Sequence, residues 1–289
     1  MIPSQFDYVA AHSVDQVTQL LADNANAKIL AGGMSLVPAV KARLKEPALL
    51  VDIGRISELV GVSSGLLGKL KIGAVTTHAS LIDHPELAGL PIIADTARVI
   101  ADLQVRNRGT IGGSLAYADP AADWTAVFLA LEGEAVLKSR GKTRKVKGED
   151  FFLSMMTSAV EEGELLTEIR FSPDGKRAGN AYVKHRQPAS GLALAGVAVN
   201  LVLDRKRRIE KLSVGVTGIN AVPFRAQSLR ARMLGEPMPD ETALRAHCEQ
   251  IEEADPMEDL HGSVDYRRAL LAVIARKALS LAHQRATES

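Results

Sequence analysis

Apolar residues in the first part of the chain recur at spacings that predict two helices and two buried strands. A capping box at 13–16 precedes apolar positions at helical spacing, which predicts a helix. Continuous apolar runs at 28–31 and 48–53 predict strands, and the segment from Leu36 to about Lys45 predicts a second helix. Helices that alternate with strands indicate a small α/β unit.

The next stretch of the chain carries a second unit, in which strands with apolar alternation surround helical segments. Helical periodicity covers 90–102, and either Thr76 or Thr77 can cap a short helix. Asp119 followed by Pro120 predicts another helix start, because an acidic cap and a proline in the first turn favour one. The predicted strands are 69–74, 134–138, a segment around 144–147, and 165–171.

Beyond the linker at 173–176, the pattern changes to strands followed by helices. Three strands are predicted at 181–186, 192–204 and 209–218, and three helices near 224–234, 240–253 and 263–284. Strands first and helices afterwards predict an α+β domain with a three-stranded antiparallel sheet. We therefore predict subdomains at 1–60 and 61–172 and a C-terminal domain at 177–289.

Two diglycine segments, at 31–35 and 110–114, are the strongest local signals of a ligand site. Paired glycines let the main chain turn with its N–H groups free for an anion, and a helix start beside them adds partial positive charge. A single segment of this kind is usually an ordinary turn. Two segments, each ending in a serine (Ser35 and Ser114), suit two adjacent phosphates, so we predict a dinucleotide between them.

The residue counts restrict the chemistry. The 289 residues include one cysteine, Cys248, so the chain cannot form an internal disulfide or supply the four thiolates of an iron–sulfur cluster. The histidines show no metal-ligand spacing. A net charge of +1, with basic runs typical of hairpin tips at 140–147 and 205–208, argues against nucleic acid. With no signal sequence and no membrane-spanning stretch, we expect a cytoplasmic protein.

Six short motifs occur in one order over nearly the whole chain. They are AGGMSL at 31–36, IGAVTT at 72–77, TIGGS at 110–114, ADPAAD at 118–123, GELL at 163–166 and YVK at 182–184. With these motifs the chain resembles the FAD-binding medium subunits of the molybdenum hydroxylases, the group of xanthine dehydrogenase and aerobic carbon monoxide dehydrogenase. The resemblance implies an α+β fold: two α/β subdomains that clasp FAD (the PCMH-type fold), followed by an α+β domain.

The resemblance also implies which residues hold the cofactor. The two glycine segments would wrap the pyrophosphate and ribityl chain, Asp123 would accept hydrogen bonds from the sugar portions, and Lys184 matches a lysine near FAD. For His78 we expect a surface position rather than a catalytic role. No catalytic or metal-ligating residue is implied. The implied FAD-binding residues are Ile29, Leu30, Ala31, Gly32, Gly33, Met34, Ser35, Leu36, Ile72, Ala74, Thr77, Thr110, Ile111, Gly112, Gly113, Ser114, Asp123, Leu165 and Lys184.

Three positions depart from the family pattern. Met34 stands where relatives often carry His or Gln, and a thioether cannot form a histidyl–flavin link, so FAD should be dissociable. Ser114 replaces the usual Asn, which removes one side-chain donor and should weaken FAD binding slightly. Leu192 replaces an aromatic residue that lies near the isoalloxazine ring in some relatives, which leaves the neighbour of that ring open.

The resemblance implies an electron-transfer subunit of an oxidoreductase complex. FAD on this chain would take electrons from [2Fe–2S] clusters on a small subunit, after substrate oxidation at a molybdenum–pterin centre on a large subunit. The expected assembly is a dimer of heterotrimers, with an acceptor that the sequence does not identify. Two alternatives remain: a free-standing flavin oxidase of the same fold, which would need a substrate base, and a scaffold subunit that has lost FAD.

Overall fold

The computed structural model describes residues 2–65 and 68–289, and its N-terminal part is a three-stranded parallel sheet with two helices. The strands β1 (Asp7–Ala10), β2 (Ala27–Leu30) and β3 (Leu49–Asp52) lie in the order β1-β3-β2 beside α1 (Val14–Asp23) and α2 (Leu36–Lys41).

Two local features of this sheet differ from prediction. The helix α2 ends at Lys41 rather than near Lys45, because Arg43 adopts a left-handed conformation and the Leu44 amide donates back to the Ala39 carbonyl at 2.9 Å. The strand β1 was not predicted. It is an edge strand whose first residues are exposed, so it lacks the apolar run that marks a buried strand.

The middle part of the chain forms a five-stranded antiparallel sheet in the order β4-β5-β10-β6-β7. Its strands are β4 (Val62–Ser64), β5 (Leu70–Gly73), β6 (Glu134–Ser139), β7 (Lys142–Lys147) and β10 (Leu165–Phe171), and a small hairpin of β8 (Phe152–Ser154) and β9 (Thr157–Ser158) stands beside it. Among the described residues, five α-helices lie between β5 and β6: α3 (His78–Leu81), α4 (Pro91–Val99), α5 (Leu103–Arg108), α6 (Ile111–Tyr117) and α7 (Asp123–Ala130).

Two predicted helix boundaries in this part were wrong. The helix expected from Asp119 begins at Asp123 instead, because the Asp119 carboxylate accepts the Ala121 amide at 2.9 Å and forms a turn. The helix expected over 90–102 ends at Val99, and Ala101 adopts a left-handed conformation that separates α4 from α5.

The last part of the chain is an antiparallel sheet covered by helices. Its sheet has four strands, not three: β11 (Ala178–Arg186), β12 (Ala193–Leu203), β13 (Ile209–Thr217) and the two-residue β14 (Phe224–Arg225). The segment at 224–225, predicted as helix, pairs with Gly215 and Val216 of β13. The helices α8 (Gln227–Met233), α9 (Glu241–Glu249) and α10 (Val264–Glu288) follow. The basic run at 205–208 lies at a hairpin tip as expected, whereas in the run at 140–147 only 140 and 141 lie at a tip and the rest forms β7.

The second and third sheets share a tightly packed boundary formed by α7. Gly215 of β13 lies so close to α7 that an added Cβ would collide with the Ala126 carbonyl oxygen. At the other end, the Arg285 guanidinium of α10 makes a two-pronged ion pair with Asp95 of α4, at 2.5 and 3.1 Å. These contacts therefore fix the position of the second sheet relative to the third. The domain boundaries at 1–60, 61–172 and 177–289 stay predictions.

Within residues 2–65 and 68–289, no helix combines the length and the apolar character that a membrane span needs.

Candidate functional site

A cavity of about 590 Å³ lies where the three sheets and their loops meet, within the size range of ligand pockets. Both diglycine segments line it, although more than 70 residues of chain separate them. Of the residues predicted to hold FAD, those that line the cavity are Ile29, Ala31, Gly32, Gly33, Met34, Ser35, Leu36, Ala74, Thr110, Gly112, Gly113, Ser114, Asp123 and Leu165.

The first glycine segment is a loop between β2 and α2 with unused backbone donors. Within the described part of the chain, the amides of 32–36 donate to no acceptor. Gly33 has a φ of +78°, a left-handed conformation that suits glycine. Consecutive free N–H groups in such a loop form a concavity that binds anions. The geometry agrees with the predicted phosphate contact.

The second diglycine segment has a different structure from the predicted turn. It forms the first turn of α6, capped by the Thr110 hydroxyl, which accepts the Gly113 amide at 3.1 Å. The amides of Ile111 and Gly112 donate to the carbonyls of Thr76 and Ala74, and that of Ser114 donates to Thr110. The prediction of a second loop with free amides was wrong, because the protein itself accepts these four N–H groups.

Two of the glycines are required by close backbone packing. An added Cβ on Gly32 would collide with the Arg108 carbonyl and lie 2.8 Å from Gly109 Cα. An added Cβ on Gly112 would lie 2.6 Å from the Ala74 carbonyl oxygen. Gly32 therefore brings the first loop into direct contact with the end of α5, and Gly112 lets α6 rest against the end of β5.

Asp123 is a buried carboxylate at the start of α7. Its Oδ1 accepts the Tyr182 hydroxyl at 2.6 Å, and its Oδ2 accepts Lys184 Nζ at 2.9 Å. Burial raises the pKa of the Asp123 carboxyl, and the neighbouring Lys184 ammonium and Tyr182 hydroxyl oppose that rise. Burial also raises the pKa of Tyr182 well above its ordinary value. Lys184 and Tyr182 orient this carboxylate.

Lys184 lies behind the cavity wall instead of in it. Its side chain is 3% exposed, and Nζ also donates to the Gly191 carbonyl at 2.7 Å. Because Gly191 lines the cavity, Lys184 links Asp123 to the loop that follows β11. Four other predicted contacts do not line the cavity either: Thr77 caps α3, Ile72 and Ile111 are core residues, and Leu30 is the last residue of β2.

His78 is buried, so the expected surface position was wrong. It is 5% exposed and lines the cavity, and its Nδ1 accepts a hydrogen bond from Trp124 Nε1 at 3.0 Å. Burial, followed by the nearby positive charge of Arg106, lowers the pKa of His78 to about 4. The imidazole is therefore neutral at physiological pH.

Several lining residues were not predicted. Lys28 and Lys45 place cations at the cavity, and Met156 and Val160 reach it from the β8–β9 region. Sequence pattern offers little signal for such residues because they lie on separate loops and helices. The remaining additions are Ile53, Ile100, Ala101, Val105, Gly109, Ala116, Tyr117, Asp119, Ala122, Leu166, Ser190 and Gly191. Leu192 also lines the cavity.

The donor set fits a nucleotide cofactor rather than a metal. No cluster of three His, Cys, Asp or Glu residues in the described ranges 2–65 and 68–289 is arranged to hold a metal ion. Cys248 is buried away from the cavity, and burial raises the pKa of its thiol to about 12. The free amides of 32–36, the nearby lysines and the serine hydroxyls match the phosphates of a dinucleotide.

Comparison with known proteins gives full-length matches. The family described as "FAD binding domain in molybdopterin dehydrogenase" matches residues 4–173, and "CO dehydrogenase flavoprotein C-terminal domain" matches 180–282. The carbon monoxide dehydrogenase medium chain of Hydrogenophaga pseudoflava is 36% identical over 99% of both chains. The glyceraldehyde dehydrogenase medium chain of Sulfolobus acidocaldarius is 35% identical, over 96% of this chain and 98% of that one.

The fold is equally similar to a solved structure. Carbon monoxide dehydrogenase from Hydrogenophaga pseudoflava, in a form lacking the Mo-pyranopterin moiety, superposes with a TM-score of 0.93 at 35% identity, covering 99% of each chain.

Proposed function

Because the chain belongs to the FAD-binding medium subunits of the molybdenum hydroxylases, we propose that it receives electrons from [2Fe–2S] clusters of a partner subunit and passes them, through FAD, to an external acceptor. FAD, when bound, supplies the electron-carrying chemistry. The observation that carries the proposal is the set of free amides at 32–36 in the same cavity as the buried Asp123.

In this proposal the first loop binds the pyrophosphate through its amides, and Lys28 and Lys45 add positive charge. Ser35 and Ser114 offer hydroxyl groups from the two glycine segments. Asp123 accepts hydrogen bonds from the sugar portions of the cofactor. Of the residues predicted to bind FAD, those that line the cavity touch the cofactor. The others lie behind the cavity wall and support it: Leu30, Ile72, Thr77, Ile111 and Lys184.

The ionisable groups around the cavity favour a role in electron transfer over substrate oxidation by acid–base chemistry. Asp123 is already paired with Lys184 and Tyr182, and His78 is neutral and holds the Trp124 N–H. We therefore propose that substrate oxidation takes place on a large molybdenum–pterin subunit, and that a small iron–sulfur subunit connects the two centres. One cysteine leaves this chain unable to carry the clusters.

We also propose that these subunits assemble as a dimer of heterotrimers and work in the cytoplasm. Matching proteins are named as medium chains, which supports a complex of several subunits. Because Met34 cannot form a histidyl link, the proposal includes a dissociable FAD.

The test is an absorption spectrum of the complex purified with its own partners, before and after acid release of the cofactor. Flavin bands at about one per chain together with iron–sulfur absorption support the proposal, and release of all flavin by acid supports a dissociable FAD. Flavin without clusters or partners would favour a free-standing oxidase. No flavin would leave a scaffold subunit and refute the proposed function.

A further inference from the structure

His78 is a buried polar side chain whose protein contacts account for only one of its two ring nitrogens. Nδ1 accepts the indole N–H of Trp124 at 3.0 Å. An indole nitrogen can only donate, so Nδ1 carries no proton and the proton of the neutral ring is on Nε2. The contact with Trp124 therefore fixes the tautomer and leaves Nε2 as a donor.

The Nε2–H group of His78 has no acceptor among the described residues of the chain. The side-chain atoms that are both enclosed and unpartnered in that part of the chain are His84 Nδ1 and the Nε atoms of Arg106, Arg232 and Arg267. His78 Nε2 is not among them, although the residue is buried. It therefore keeps access to open space, and the cavity is the open space that His78 lines.

Glycine at position 109 keeps this access open. A Cβ added to Gly109 would lie 2.7 Å from His78 Nε2, where it would crowd the donor. Gly109 lines the same cavity, next to the Thr110 cap of α6. The free N–H thus lies at the wall formed by the second glycine segment.

We propose that His78 Nε2–H donates a hydrogen bond to an acceptor atom of bound FAD, and that Trp124 is the positioning residue that fixes this donor. The inference rests on the proposed function, since it needs FAD in the cavity. FAD in the cavity would close the open space that Nε2–H faces, and a donor enclosed without a partner is unfavourable. A carbonyl oxygen, ring nitrogen or hydroxyl of the cofactor would satisfy it. This side chain would then supply, beside the second segment, a donor that the bonded amides of that segment cannot supply.

Three variants of the full chain test the proposal by titrating apoprotein with FAD. His78→Phe removes both nitrogens and should weaken FAD binding about three- to tenfold, the usual effect of one neutral hydrogen bond. His78→Gln returns an N–H near the Nε2 position and should recover part of the affinity. Trp124→Phe releases Nδ1, lets the ring adopt either tautomer, and should give an intermediate loss. His12→Gln, an exposed histidine, is the matched control.

A second measurement does not depend on how well the variants fold. In wild-type chain labelled with ¹⁵N-histidine, the Nε2 and proton resonances of His78 should shift when FAD is added, while Nδ1 keeps its signal as an acceptor. An unshifted Nε2 resonance in chain saturated with FAD would overturn the inference. So would an unchanged affinity in folded His78→Phe. Absence of FAD binding by the wild-type complex would instead refute the proposed function, so the two failures are distinguishable.

Discussion

Replacing Gly32 with alanine tests whether direct contact between the first loop and the end of α5 is needed for FAD binding. An added Cβ would collide with the Arg108 carbonyl oxygen and lie 2.7 Å from its carbon. Ordinary contact begins near 3.4 Å, so the two segments must separate by more than the shortfall of about 0.7 Å at the carbon, because the carbonyl oxygen is closer still. Overpacking of this kind costs about 1–3 kcal/mol.

The separation changes FAD binding because the free amides follow directly after Gly32 in the same loop. Binding must restore their alignment against the strain, so the dissociation constant should rise about 5- to 150-fold, from the conversion of about 1.4 kcal/mol per tenfold. The assay is a fluorescence titration of apoprotein with FAD, combined with urea unfolding of the same samples.

The matched control for this variant is Gly175→Ala, because an added Cβ there meets no atom within 4 Å. The control should keep both affinity and stability. If Gly32→Ala kept wild-type affinity and an unchanged unfolding midpoint, the close contact would not matter to the site and the reasoning would be wrong.

Three more predictions concern buried ionisable groups. Lys184→Met leaves the Asp123 carboxylate unpaired and should lower the free energy of unfolding by about 3–5 kcal/mol; Asp123→Asn in the same chain should recover part of the loss in a double-mutant cycle. The folded-state pKa of His78, about 4, lies below its ordinary 6.5, so its contribution to stability is present above pH 6.5 and is lost as pH falls toward 4. Wild type minus His78→Gln should show a loss of about 3 kcal/mol over that window in pH-dependent unfolding, and a flat difference would contradict it. Cys248, with a pKa of about 12, should resist iodoacetamide in the folded chain and react once the chain is unfolded in urea, as mass spectrometry can show.

The main strands could be predicted because their apolar runs record burial directly. The strand β12 carries a long apolar segment, β6 has a short buried apolar run, and buried positions alternate in β5 and in the second half of β10. The edge strand β1 and the short strand β14 have no buried apolar run, because they are defined by pairing with a neighbouring strand rather than by burial. The local pattern of apolar residues therefore predicts central strands better than edge strands.

The sequence predicted which residues belong to the candidate site better than it predicted their local structure. The order of the motifs predicted that both glycine segments belong to one site, and the structure places both at one cavity. Glycine pairs usually signal turns, so the pattern could not show that Thr110 caps a helix through the second pair. The contacts of Lys184 with Asp123 and of His78 with Trp124 join residues 61 and 46 positions apart, and no local spacing encodes them.

The position of Lys184 determines when the candidate site is completed during translation. During translation the free-amide loop emerges early, but the partner of Asp123 emerges only with β11, and the loop at Ser190 to Leu192 later still. β11 in turn packs against α10, where Gly179 lies in contact with Ala282 and Ala286. A ribosome-bound chain, or one truncated before β11, would carry the amide loop without the lysine that holds Asp123. The wall that joins Asp123, Lys184 and Gly191 is therefore complete only after synthesis has passed the loop at Ser190 to Leu192.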